Sequence, residues 1–346
     1  MNSESAVPAD AGSAASSRKM TSGADPGGMM PRPAIPVGRR VHVRVPATTA
    51  NLGPGFDTLG LALSLYDEID ATVSGTPGVR VTVRGVGSDG SVPTDASNLV
   101  ASVILDVLSR KGAMVPGLDI VAHNAIPHGR GLGSSGAAIV GGIMAAKGLL
   151  EGIVELGSAE LLAIATELEG HPDNVAPALF GGLTIAWLEP SGPQHKKLNV
   201  HRGVSPVVFV PAHTVPTKLA RSLQPAQVPH EDAVFNLSRS ALLIAALIQS
   251  PELLLSATED KLHQDYRAAA MPDTHALVRL LRDAGFPAVV SGAGPSVLVL
   301  CERPADRLAA AELVAATSPV PWETLMLAVD FKGATVAQGT ASVPAL

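Results

Sequence analysis

The stretch GRGLGSSGAA, residues 129–138, decides how the chain is read. Four glycines and two serines stand among its first eight positions, after the strand-like run GLDIVAHNAI and before a small-residue run with the look of a helix from about Ser134 to Leu150. A glycine loop feeding a helix brings unpaired backbone N–H groups and the positive end of the helix dipole to one point, with no side chain in the way. The natural guest is a phosphate. The loop is not a Walker A loop, because Gly133 is followed by Ser134 and Ser135 with no lysine. Gly131, Gly133 and Gly136 also spell G-x-G-x-x-G, and Glu155 lies about 20 residues onward, so a dinucleotide site stays open at this point. So does a helix entry whose glycines serve only close packing.

Outward from the loop, the N-terminal side is β-rich. VHVRV alternates as a strand, PATTANLGPGFDTLG reads as a polar loop, and LALSLYDEIDATV and VRVTVRG read as further strands. SNLVASVILDVLSRKG has helical spacing, with Ser97 as N-cap and Gly112 as stop. After the loop helix comes SAELLAIATELEG, capped by Ser158 and stopped by Gly170, then a loop HPDNVAPALFGG and a strand LTIAWL. The remainder, strand VVFV, helices between Thr217 and Ala270, strands AVVSGA and SVLVLCE, helix ADRLAAAELVAA and strand ETLMLAVD, follows the β-α-β-β-α-β ferredoxin-like order. The expected division is a disordered tail over 1–38, rich in Ser, Ala, Gly and Pro, an N-terminal domain over 39–190 and a C-terminal domain over 191–346. Met20, Met29 and Met30 offer later translation starts.

The 346 residues suffice for two cores, and 46% apolar with 16% charged residues describes a globular enzyme. No apolar run approaches the length that spans a bilayer; ALLIAALI, residues 241–248, reads as a buried helix segment. A net charge of −6 without a Lys/Arg cluster argues against a nucleic-acid partner. One cysteine, Cys301, excludes an intramolecular disulfide and reads as a buried structural thiol. No signal peptide is evident, and the expected location is cytoplasmic.

PATTANLGPGFDTLGLAL, PHGRGLGSSGA and SGAGPSVLVL stand in the order and at about the separations of the three motifs of the GHMP kinases, and the chain resembles that family from about Val41 to its C-terminus. The first motif and EGHPDNVAPALFGG resemble the branch that phosphorylates L-homoserine. Gly136 departs from the usual alanine and Ala293 from the usual glycine or serine. The resemblance implies an α+β, two-domain GHMP kinase fold, with a ribosomal protein S5 domain 2-like N-terminal domain and a ferredoxin-like C-terminal domain. It implies ATP and Mg2+ as cofactors, L-homoserine as acceptor and a homodimer.

Site roles follow from the same resemblance. Pro127, Gly131, Leu132, Gly133, Ser134, Ser135 and Gly136 cradle the phosphates, and Asn98 lies by the adenine or caps its helix. Ser135 and Glu167 hold the metal, with Glu169 read as a solvated helix charge. Homoserine is a zwitterion with a hydroxyl arm, so its pocket needs cations for the carboxylate and acceptors for the ammonium. Arg221 and Arg267 fall to the first task, with Thr217 one turn before Arg221. Asn51 and Asp57 fall to the hydroxyl and ammonium ends, and His171 beside Asp173 to the same pocket. Arg239, His128, His213 and His263 read as surface or structural. Asn174 stands where some members carry an aspartate base, which implies transfer without a dedicated base, since phosphoryl transfer draws mostly on positioning and charge stabilisation. A GHMP kinase for another small alcohol, an NAD-dependent oxidoreductase and a non-catalytic nucleotide sensor are the alternatives.

Overall fold

A computed structural model of the chain describes residues 34–339. The expected disorder over 1–38 falls mainly outside them. At its described end that expectation needs correction: Ile35 is buried and the Gly38 N–H donates to Val73 O.

The first sheet grows from alternation. In β1 (Arg40–Ala50) Val41, Val43 and Val45 face the core while His42 and Arg44 face outward. The strand continues into PATTA, read above as loop, through a register shift between Pro46 and Ala47 where it pairs with β2 (Leu59–Ser74). β3 (Gly78–Gly85) runs parallel to β4 (Gly117–Asn124), which lies antiparallel to β2. Between them α1 (Leu99–Arg110) is capped by Asn98, not Ser97: the Asn98 side chain accepts from Val100 and Ala101 N–H, while Ser97 bonds Asp95.

The loop helix α2 (Ser134–Leu149) is buried on nearly every side. Its small residues permit this, since a Cβ at Gly141 would stand 2.4 Å from Ile69 and one at Gly142 2.8 Å from Val103. α3 (Ser158–Glu169) starts after Gly157, whose side makes no cap, so Ser158 is its first residue and not its N-cap. The stretch HPDNVAPALFGG is no loop. Pro172 at the first helical position, where a missing N–H costs nothing, opens α4 (Pro172–Phe180), which continues through Pro177 to Gly181. β5 (Leu183–Glu189) and β6 (Gly192–Leu198) form a hairpin on the start of β2. Helix α2 is followed by α3 and no strand lies near Glu155, which removes the βαβ unit that a dinucleotide site requires.

β7 (Ser205–Pro211) begins the second sheet. The helices α5 (Thr217–Ser222), α6 (His230–Ile248), α7 (Leu254–Ala257), α8 (Gln264–Arg267) and α9 (Pro272–Asp283) precede β8 (Ala288–Val290) and β9 (Val297–Cys301); α10 (Pro304–Thr317) and β10 (Trp322–Met326) complete it. The antiparallel order β10-β7-β9-β8 is the ferredoxin-like arrangement expected from the element order. The run PVVFV is apolar throughout because both its faces are covered: Val208 and Val210 belong to the larger core and Val207 and Phe209 to the smaller. Cys301 is buried in the smaller core, and burial pushes its thiol up to about 12.

The chain then returns. β11 (Thr335–Gln338) pairs with β1, so the first sheet owns β6 and β11 although both lie beyond residue 190. Among the described residues no helix is long and apolar enough to cross a membrane.

Candidate active site

Three sequence motifs meet around one cavity. In the glycine loop Gly131 and Gly133 have φ of +73° and +69°, and their neighbours leave no room for a side chain. A Cβ on Gly131 would stand 2.1 Å from Ser291 O and one on Gly133 2.0 Å from Thr48 Oγ1. The loop therefore lies directly between the first motif and the third. Ser291 ties them together, its hydroxyl donating to Gly131 O at 2.6 Å and lying 2.9 Å from the Thr49 hydroxyl, while the Thr48 N–H donates to Leu132 O.

The cavity so enclosed holds about 150 Å³. Its loop side is formed by Gly129, Gly131, Gly133, Ser134 and Ser135, leading into the N-terminus of α2. Its other walls carry the charges: Asp57, Glu169, His171, Asp173, Arg221 and Arg267, together with Asn51, Asn174 and Thr217. A second cavity of about 310 Å³, lined by Asn98, Leu99, Val100, Asp67, Val92 and Pro93 among others, shares Ser134 and Ser135 with the first. Pro127 and Leu132 are buried and line neither cavity, so they shape the loop from behind. Gly136 is buried in the first turn of α2, where an added Cβ would meet Asn174 at 3.5 Å.

The acid expected beside Ser135 is the wrong one. Glu167 is exposed and forms two bonds with Arg110, at 2.7 and 2.8 Å, tying α3 to α1 on the surface. Glu169, set aside above as a solvated charge, accepts from the Ser135 hydroxyl at 2.9 Å. Two residues apart on a helix is about 200° of rotation, so the two acids cannot share a face. Burial pushes the Glu169 carboxyl up, against the Ser135 hydrogen bond, which pulls it down.

Arg221 spans the cavity wall to Asp57, with its two terminal nitrogens 2.9 and 3.2 Å from the two carboxylate oxygens. Arg267 is buried; Nε donates to Ala220 O, and burial ahead of the charge of Arg221 lowers its pKa. His171 Nδ1 lies 2.5 Å from Asp173 Oδ1, a bond that outweighs burial and raises the imidazole's pKa. Asn174 Oδ1 accepts from Thr48 Oγ1 at 3.0 Å. The hydrogen-bonding groups of Asn98 are taken by its cap and by Pro93 O, so it forms a wall of the second cavity.

Asp67 faces that second cavity and accepts from the Ala125 and Ile126 N–H groups at 2.8 and 2.9 Å, anchoring the chain ahead of the glycine loop. Burial outweighs both bonds and raises its carboxyl from 3.8 to about 6. The folded state thus holds this proton more tightly than the unfolded one, and the stabilisation, fully present below the unfolded value, is lost as pH rises through about 6. The loss is about 3 kcal/mol in full, roughly half of it between pH 5 and 7.5. Urea unfolding across that range is expected to show wild type losing about 1–2 kcal/mol relative to Asp67→Asn, and parallel pH profiles would refute it.

A glycine-lined helix start, an adjoining second cavity and a wall of mixed charge fit a phosphotransferase for a small polar molecule. Residues 98–182 match the GHMP kinases N terminal domain and residues 243–317 the GHMP kinases C terminal domain. Homoserine kinase of Clavibacter michiganensis subsp. michiganensis is 70% identical over 305 residues, 88% of this chain and 96% of that protein. Homoserine kinase of Streptomyces coelicolor is 49% identical over 297 residues, 86% of this chain and 94% of its own. The crystal structure of homoserine kinase from Cytophaga hutchinsonii matches with a TM-score of 0.76 at 30% identity, over 86% of this chain and 98% of that one. The chain belongs to the GHMP kinase family and, within it, to the homoserine kinases.

Proposed function

We propose that the chain transfers the γ-phosphoryl group of ATP to the hydroxyl of L-homoserine, a step of threonine biosynthesis carried out in the cytoplasm. The observation that carries the acceptor is the Asp57–Arg221 pair beside buried Arg267, because a zwitterion can replace that internal pairing on both sides at once. Its ammonium takes Asp57 and its carboxylate takes Arg221 and Arg267, whose forks match a carboxylate. Mevalonate, with a carboxylate and no ammonium, would leave Asp57 without a cation. Thr217, Asn51 and His171 orient the remaining arm.

The triphosphate lies along the glycine loop, its charge met by N–H groups at the start of α2, and the adenosine occupies the cavity walled by Asn98. The donor set suits Mg2+. Ser135 and Glu169 offer one hydroxyl and one half-buried carboxylate, and among the described residues no cluster of three or more His, Cys, Asp or Glu could hold a metal alone. Mg2+ accepts such a sparse set because phosphate oxygens and water complete its shell. When bound it would neutralise charge on the phosphates. Asn174, held by Thr48, presents no base to the acceptor hydroxyl, so the proton passes to the phosphate.

The test is ADP release with Mg-ATP against L-homoserine, L-serine, mevalonate, shikimate and galactose, with product mass determined. Turnover confined to homoserine, yielding O-phospho-L-homoserine, is expected. Turnover of another alcohol in its place would discard the acceptor assignment.

A further inference from the structure

The segment that carries Asn51 and Asp57 is held against its own backbone preferences. Asn51, Leu52 and Asp57 have φ of +71°, +50° and +52°, and Gly53 has +81°. Left-handed conformation is costly for non-glycine residues, most of all for a bulky one such as Leu52, and persists only where surrounding contacts dictate it. Part of the restraint comes through Asn51, whose side chain accepts from the Asp57 N–H within the segment at 2.9 Å and donates across the cavity to Gly292 O at 2.8 Å.

The rest comes from far along the chain. His263 is fully buried, and its Nε2 lies 2.7 Å from Gly53 O. A carbonyl oxygen can only accept, so Nε2 carries the proton. Nδ1 is buried with no partner, which fits a neutral ring, and burial lowers the imidazole's pKa. The ring also stacks on Phe56, centroids 4.9 Å apart. At the next carbonyl, Asn236, buried on α6, donates from Nδ2 to Pro54 O at 3.0 Å and accepts the Lys261 N–H on Oδ1. Asp260 fixes the His263 backbone, taking the N–H groups of His263 and Gln264 on one oxygen. Four residues beyond His263 stands Arg267, its guanidinium over the same Phe56 ring, 5.1 Å from the centroid. One short segment therefore both delivers Arg267 to the acceptor wall and restrains the strained loop opposite it.

We infer that His263 and Asn236 are positioning residues that clamp the Gly53 and Pro54 carbonyls, hold loop 51–57 in its strained form and so set the affinity for the acceptor while leaving the nucleotide site alone. Neither lines the glycine-loop cavity or its neighbour. The inference rests on the acceptor reading above.

The variants are His263→Leu, which removes the donor; His263→Gln, which offers one near the same place; and Asn236→Asp, which keeps the Lys261 contact and loses the donor to Pro54. Calorimetry gives the affinity for Mg-ADP, steady-state kinetics the KM for L-homoserine, and amide exchange the protection of peptides 51–58 and 129–140. In His263→Leu and Asn236→Asp the acceptor KM is expected to rise about tenfold or more, the size of one buried hydrogen bond, with Mg-ADP affinity within about twofold. Exchange rises in peptide 51–58 alone, and His263→Gln recovers most of the loss. An unchanged acceptor KM, or equal losses for acceptor and nucleotide, overturns the clamp; Asn236→Asp decides if His263→Leu does not fold. Should wild type itself fail to phosphorylate homoserine, the acceptor reading is what fails, and exchange in peptide 51–58 still tests the clamp.

Discussion

Glu169→Gln is expected to lower kcat/KM about a hundredfold or more, while Glu167→Gln changes it by less than about threefold. The two acids sit two positions apart near the end of one helix, and their surroundings are opposite. Glu169 lies against Ser135 at the mouth of the glycine loop, where burial raises its pKa and a hard cation would relieve that burial by pairing with the carboxylate. Glutamine keeps the shape and removes the charge, which is worth about 3 kcal/mol where a metal must offset the charge of the phosphates. Glu167 is exposed and paired with Arg110 on the surface, where solvent screens the bridge, and it lies away from the glycine loop. A proton competes with the metal for Glu169, so the Mg2+ concentration needed for half-maximal ADP binding should rise as pH falls. Calorimetry of ADP binding at several Mg2+ concentrations, with both variants, checks this independently of turnover. Equal losses at the two positions would return the metal role to Glu167.

The contrast also shows where sequence was legible and where it stopped. Period-two alternation in β1 and the element order of the C-terminal half carried the fold, because each reflects a face buried along a whole element. The glycine loop was legible as a tight turn into a helix, since its residue types are few and their backbone demands are specific. Which acid faced it was not, for a helix turns about 100° per residue and nothing local fixes that phase. HPDNVAPALFGG looked like a loop because two prolines and two glycines punctuate it, yet Pro172 stands where a helix tolerates proline and tertiary packing carries the helix through Pro177. β6, with its polar sequence GPQHKKL, and β11 gave no strong alternation and take their place by pairing with β5 and β1. His263 read as structural or exposed; the carbonyl that its ring meets, Gly53 O, lies 210 residues away, beyond the reach of any local pattern.

Gly131→Ala should cost more than any polar substitution at the loop, with kcat/KM falling about a thousandfold, and Gly129→Ala supplies the control. Both glycines have left-handed φ, +73° and +64°, so each alanine pays a conformational cost of about 1–2 kcal/mol. They differ in the space around them. At Gly129 the nearest atom to an added Cβ is Thr214 Cβ at 3.4 Å, an ordinary contact, and the loop can keep its path. At Gly131 the Cβ would stand 2.1 Å from Ser291 O and 3.0 Å from Gly294 O, both backbone, so no rotamer change can make room. Either the glycine loop or the third motif must move, and the Ser291 bond to Gly131 O breaks with it. A displacement of about 1 Å is enough to lose a hundredfold where catalysis rests on positioning, and here donors to the phosphates and the wall near Arg267 shift together. The stability loss of Gly131→Ala, read from urea unfolding, should exceed that of Gly129→Ala by about 2 kcal/mol, yet leave a folded protein to assay. If the folded Gly131→Ala protein kept kcat/KM within about tenfold of the Gly129→Ala protein, contact between the loop and the third motif would not be what shapes the phosphate site.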